Sequence, residues 1–243
     1  MNLKATILSP HFDDAAYGLT LTISRLVNRN VPIKLLNCFT VTKWTAIPVE
    51  SKEIEAVSRL RAREDADFNR LFGSVIQLVN LDLLDAPLRK GYIFQEKPLE
   101  ADEWEVVNEL KLKLEEHLDG ILFCPLGIGS HIDHAICLEA VLKLYPDIRV
   151  VFYEDLPYAA RISFEDITER IRELEERLGV SLVNKLNLMS NCTIDKEQAV
   201  RVYESQMNEQ ICSEIVAHMM DLKGERLWGE SNTIAMLSDM LEY

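Results

Sequence analysis

Glycine is scarce in this chain, with nine residues in 243. None of them forms G-x-G-x-x-G after the first strand-like run or G-x-x-x-x-G-K-[ST] anywhere, so the familiar dinucleotide and triphosphate loops are missing. Cysteine is equally sparse. Cys38, Cys124, Cys137, Cys192 and Cys212 are odd in number, scattered and never spaced C-x-x-C, which argues against a disulfide framework or a thiolate metal site and for buried free thiols in a reducing compartment. Positive charge also falls short: 26 Lys+Arg against 40 Asp+Glu leave a formal net charge of −14. A field of that sign repels phosphate backbones and anionic lipid, so neither nucleic acid nor membrane is expected as a partner. The first apolar run is about half the length of a membrane span and nothing resembles a signal peptide, so a cytoplasmic location is the expectation. Internal repeats, low-complexity tracts and a Pro/Gly/Ser linker are absent too.

The chain does have 48% hydrophobic residues in an alternating pattern, enough for a sizeable core. Strand-like runs at Ala5 to Ser9, Ile33 to Val41, Val75 to Leu81, Ile121 to Pro125 and Val150 to Glu154 alternate with helical stretches. The helical stretches run from Asp14 to Asn28, Ser51 to Phe72, Glu103 to Leu118 and His134 to Tyr145. Continuous apolar strands alternating with helices predict an α/β fold: a Rossmann-like, doubly wound, mostly parallel sheet with helices on both faces. After Tyr158 the pattern changes to an amphipathic helix, Ser163 to Leu178, with Ser163 and Asp166 as caps and Gly179 as its stop. A short strand-like piece and a long helix, Asp195 to Leu222, follow. We read 1–243 as a single domain, with a motif-bearing core (1–158) and a largely helical C-terminal addition (159–243) packed on it. The long connections Thr42 to Lys52 and Asp82 to Asp102 are candidates for a rim or lid.

His11-Phe12-Asp13-Asp14 follows the first strand, and His131-Ile132-Asp133-His134 follows the fourth. Right-handed crossovers bring the loops after parallel strands to one edge of the sheet, so the two clusters should meet there. Zinc in a hydrolase takes three His/Asp/Glu ligands and keeps one position open. His11, Asp14 and His134 can supply that set. Asp13 would then stand uncoordinated as a general base, Asp133 would orient a neighbouring imidazole, and His131 would face a developing oxyanion or protonate a leaving group.

Ser9-Pro10-His11-Phe12-Asp13-Asp14 resembles the first motif of the LmbE/PIG-L-like zinc deacetylases, and Leu126 to His134 resembles their second, H-x-D-H. Arg61-Ala62-Arg63-Glu64, Leu84 to Arg89 and Phe152 to Tyr158 extend the likeness to most of the chain before Tyr158. The resemblance implies zinc (or another divalent ion) on His11, Asp14 and His134, catalysis by Asp13, His131 and Asp133, and hydrolysis of an acetyl or other acyl group from the nitrogen of an amino sugar or sugar-like small molecule. Two positions depart from the motif: Ala15 stands where it usually ends in Glu, and Phe12 where it usually has Pro.

Arg61 and Arg89 are candidate forks for an anionic substrate group, Trp44 for stacking on a sugar ring, and Glu154 for sugar hydroxyls. Two rival readings exist: a metal-dependent nucleotide-sugar glycosyltransferase using Asp13-Asp14, which would leave His131 and His134 without a role, and a non-catalytic binding protein on the same fold, which would not need both a base and ligands. The regular charged face of Glu165 to Arg177 admits a homo-oligomer contact.

Overall fold

The computed structural model describes residues 3–190 and 192–241. Seven strands form one sheet: β1 (Ala5–Ser9), β2 (Ile33–Asn37), β3 (Gln77–Asn80), β4 (Ile121–Pro125), β5 (Arg149–Tyr153), β6 (Val183–Leu188) and β7 (Gly224–Gly229), in the order β3-β2-β1-β4-β5-β7-β6. The first five are parallel, and β7 runs antiparallel to both β5 and β6. Every residue of β1 and β4 is buried, as continuous apolar strands at the centre of a covered sheet should be. Polar residues collect instead in the two edge strands, β3 and β6.

The helices α1 (Asp14–Asn28), α2 (Ile54–Leu71), α3 (Ala86–Arg89), α4 (Ala101–His117), α5 (Ile132–Leu142), α6 (Phe164–Leu178), α7 (Lys196–Arg201), α8 (Glu209–Leu222) and α9 (Ser231–Leu241) pack around the sheet. α4 lies on α5, while α1 contacts α7 and α9. The predicted boundaries of α6 hold for a stated reason: Ser163 and Asp166 form a reciprocal capping box, and Gly179 ends the helix in the left-handed conformation.

The C-terminal third differs from expectation in two ways. It completes the sheet with β6 and β7 rather than only packing on it, since β7 pairs Trp228 with Phe152 and Leu227 with Tyr153. The single long helix expected from Asp195 to Leu222 is two helices, because residues 202–208 leave the helical path to bind elsewhere. The Ser205 amide and hydroxyl both donate to Glu64 at 2.7 Å, and Asn208 starts α8 by accepting from the Ile211 amide. The five cysteines are free, and all but Cys192 are buried. Among the described residues no helix is long and apolar enough to cross a membrane.

β1 and β4 are neighbours, with Ala5 opposite Ile121, and the chain order reverses between them. The crevice beyond their carboxyl ends is where an open α/β sheet holds its ligand.

Candidate metal centre and active-site cleft

The loop after β1 carries His11, Asp13 and Asp14, and the loop after β4 carries His131, with His134 on the first turn of α5. These loops meet. The ring centres of His11 and His134 are 5.5 Å apart, and His131 lies 4.7 and 4.8 Å from them. One nitrogen from each imidazole falls within 4.8 Å of the others. Asp14 sits between two of the rings, with Oδ2 3.1 Å from His11 Nδ1 and Oδ1 3.3 Å from His134 Nε2. Donors bound tetrahedrally at ~2 Å stand roughly 3.3 Å from one another, and the two Asp14 contacts fall close to that spacing.

The far nitrogens distinguish the histidines. His11 Nε2 meets Asp133 Oδ2 at 2.9 Å, and His134 Nδ1 meets Asp155 Oδ1 at 2.6 Å. A carboxylate behind an imidazole fixes its tautomer and raises its basicity as a ligand. His131 has no such carboxylate: its Nδ1 accepts from the Asp133 amide at 3.1 Å, which places the ring proton on Nε2. The family resemblance implies that the Asp133 carboxylate orients His131 or His134. Instead, that carboxylate serves His11 and also accepts from the Ala86 amide at 3.0 Å and Arg89 at 2.8 Å. It is the first turn of α5 that turns the Asp133 amide, not its carboxylate, toward His131.

The electrostatics follow from this wiring. Burial alone would depress the His11 imidazole, but Asp133 and Asp14 outweigh it and raise it to about 9. His134 is likewise driven up against burial by Asp14 and Asp155, while burial and then its two cationic neighbours push His131 well below its ordinary value. Accepting at Nδ1 leaves His131 a neutral imidazole. Asp14 is held below the carboxylate range, because His134 and His11 overcome its desolvation.

Asp13 faces the cleft beside this cluster, and its Oδ1 accepts from Arg61 Nη2 at 2.7 Å. Arg61 is 2% exposed and lies over the ring of Phe12 at 5.8 Å. Next to it, the Tyr17 hydroxyl is buried beside Asp13, and burial together with that carboxylate raises its pKa well above the ordinary value. The cleft has a volume of about 290 Å³, with Trp44, Ile93, Phe94, Leu156, Tyr158 and Ile211 among its lining residues. Gly129 is required beneath it: its φ is +93°, and a Cβ there would stand 2.3 Å from Tyr158 Cγ.

Of the candidate substrate residues, Trp44 and Arg61 line the cleft, whereas Arg89 and Glu154 do not. Arg89 is held between Asp133 and the Leu84 carbonyl with its guanidinium 4.9 Å over Phe39, so it supports the site from behind. Glu154 points away to accept from His218 at 2.8 Å and Arg226 at 2.5 Å, and these partners lower its pKa despite burial. The neighbouring Asp155 takes the position at the site, as side-chain alternation past the end of a strand requires. Asp155 and Tyr158 fall in the Phe152 to Tyr158 segment of the family likeness, and Asp155 is also a carboxylate at a third strand end on the same edge, whereas Tyr17 and Gln206 carried no sequence signal.

The family model described as "PIG-L: GlcNAc-PI de-N-acetylase" matches residues 6–145, more than half of the chain. This chain belongs to the PIG-L family. A PIG-L relative, the 2'-N-acetylparomamine deacetylase of Streptomyces fradiae, is 28% identical over 224 residues, covering 88% of this chain and 77% of its own length. A deacetylase of teicoplanin biosynthesis, solved with teicoplanin, superposes with a TM-score of 0.68 at 17% identity, covering 93% of this chain and 97% of that one. A zinc-inhibited form of teicoplanin deacetylase superposes at 0.64 and 18% identity, with the same coverage. The mostly parallel sheet with its surrounding helices is thus the PIG-L deacetylase fold.

Proposed function

We propose that the protein is a metal-dependent N-deacetylase that hydrolyses the amide of an acylated amino sugar or sugar-like small molecule. The observation that carries this reading is the pairing of the His11–Asp14–His134 trio with an adjacent, arginine-held Asp13 in the same cleft. The relatives named above, which act on N-acetylparomamine and in teicoplanin biosynthesis, support an amino-sugar substrate.

His11 Nδ1, Asp14 and His134 Nε2 would hold the ion, with zinc the first choice for two imidazoles and a carboxylate and another divalent metal possible in its place. Bound there, such an ion would supply Lewis acidity to the amide carbonyl and to the attacking water. The Asp13 carboxylate takes the proton from the attacking water and passes it to the departing amine. Arg61 holds the Asp13 carboxylate in place at the cleft through its 2.7 Å hydrogen bond. His131, neutral with its proton on Nε2, donates to the oxyanion that forms on the former carbonyl. The atoms balance: water adds across the C–N bond, giving a carboxylic acid and a free amine.

The test is a screen for primary-amine release over N-acetylated sugars with zinc supplied. Asp13→Asn should lower turnover by about 10²- to 10⁴-fold while keeping the metal. Full activity in that variant refutes the assignment of the base, and stoichiometric metal in His134→Ala removes His134 from the ligand set.

A further inference from the structure

We propose that the cleft is built for a neutral amino-sugar derivative with an apolar, flat-faced group attached to the acylated sugar, and that Trp44 and Phe94 are the residues that select it. This inference rests on the deacetylase reading and narrows its substrate class.

Trp44 and Phe94 line the cleft, yet they are 46% and 54% exposed. Their backbones are firmly held. The Trp44 amide donates to Thr42 Oγ1 at 2.9 Å, and its carbonyl accepts from Gln206 at 3.3 Å. Around Phe94, the Gln95 amide donates to the Ser130 carbonyl at 2.9 Å, and the Ile132 amide to the Ile93 carbonyl at 3.1 Å. The segment is thereby zipped to the loop that carries His131, and the Phe94 ring meets that imidazole edge-on at 5.7 Å. Two large rings presented on fixed backbone at the mouth of a site are a surface for a ligand with a π or alkyl face. Pro87, Leu156 and Ile211 continue the apolar wall.

The charges point the same way. The two arginines lining the cleft are both committed, Arg61 to Asp13 and Arg161 to Glu214 at 2.9 Å. Asp85, the lining carboxylate outside the first-strand motif, is satisfied by the Thr42 hydroxyl and the Leu88 amide. A phosphorylated substrate would have to compete with those two carboxylate pairs for the lining guanidiniums and would approach a chain of net charge −14. A polycationic one would find no uncommitted carboxylate outside the catalytic cluster.

The experiment compares four probes on the metal-loaded full chain: N-acetylglucosamine, its 4-nitrophenyl β-glycoside, its 6-phosphate, and an N-acetylated aminoglycoside fragment that retains free amines. The aryl glycoside should show a kcat/KM about tenfold above that of the free sugar, and the charged probes no advantage. Trp44→Ala and Phe94→Ala, checked for native circular dichroism, should each bring that ratio toward one. Calorimetric binding of 4-nitrophenyl glucosaminide against glucosamine gives the same comparison without turnover. The proposal is overturned by an aryl-to-free ratio of one in the wild type, by preference for the phosphate or the polycation, or by an undiminished aryl preference in both variants. Failure of every N-acyl probe to be hydrolysed would sink the deacetylase reading alone, and the calorimetric preference would still decide this one.

Discussion

Arg61 on α2 reaches across 48 positions to donate to Asp13 at 2.7 Å, and both side chains are almost wholly withdrawn from solvent. The pair has neighbours that keep it rigid. Glu64, one turn on, clamps Ser205, and Asp65 accepts from Asn37 at 2.7 Å and from Tyr203 at 3.0 Å. Removing Arg61 would leave a carboxylate with no cation at the position the mechanism needs most. Arg61→Ala is expected to cost about 3–5 kcal/mol of stability, the usual cost of breaking a buried pair, and to lower kcat at least about tenfold. Denaturant unfolding and steady-state kinetics read the two effects, with metal content unchanged. Wild-type kcat in a folded Arg61→Ala protein would remove Arg61 from any positioning role.

Asp155 stands behind His134 as Asp133 stands behind His11. It also accepts from the Ile128 amide at 3.1 Å, which ties the β5 loop to the glycine-rich turn after β4. Asp155→Asn keeps the shape but offers a weaker acceptor to the imidazole. Metal affinity should fall about 10- to 100-fold by competition against a chromophoric chelator. An unchanged affinity would mean that the Asp155 contact serves only folding.

Much of the site was legible because parallel strands place their following loops on one edge, so two clusters 120 positions apart could be brought together on paper. What could not be read depended on non-local pairing. Gly224 to Gly229 reads Gly-Glu-Arg-Leu-Trp-Gly, without strand-like alternation, and becomes β7 only because β5 and β6 flank it. The break between α7 and α8 contains neither proline nor glycine; Glu64, far away on α2, draws Ser205 out of the helix. Glu154 and Asp155 are adjacent carboxylates whose roles depend on which face of the sheet each one meets.

Glu154 follows from that last point. It is buried among His218, Arg226 and the Trp228 indole on the side of β5 away from the cleft. Glu154→Ala should destabilise the fold by about 3–5 kcal/mol, since Arg226 and His218 lose their buried acceptor, while KM stays at the wild-type value. A raised KM at unchanged stability would return Glu154 to the substrate site.

Asp65 gives a pH signature. Burial raises its carboxyl to about 7 against its hydrogen bonds from Asn37 and Tyr203. Between its unfolded value and about 7 the folded chain keeps a proton that the unfolded chain has lost, so this group's contribution to stability falls as pH rises through that window. The loss has an upper bound of about 4 kcal/mol at 1.36 kcal/mol per unit. Asp65→Asn stays neutral throughout. The difference in Tm between Asp65→Asn and wild type should therefore move in the variant's favour from pH 5 to pH 8, and a pH-independent difference would show that Asp65 ionises normally.

Gly129 tests the loop that presents His131. Its φ of +93° is strained for any L side chain, and an added methyl would collide with the Tyr158 ring at 2.3 Å. Tyr158 in turn packs edge-on against His134 at 5.8 Å and Phe94 at 5.9 Å, so a shift of either partner passes directly to the imidazoles. Gly129→Ala should lower the Tm by several degrees, equivalent to more than about 1 kcal/mol, and reduce kcat more than it raises KM. Tyr158→Gly removes the ring that the methyl would strike. If the collision is the cause, Gly129→Ala should cost less in the Tyr158→Gly background than in the wild type, and an equal cost in both would assign the effect to backbone strain alone.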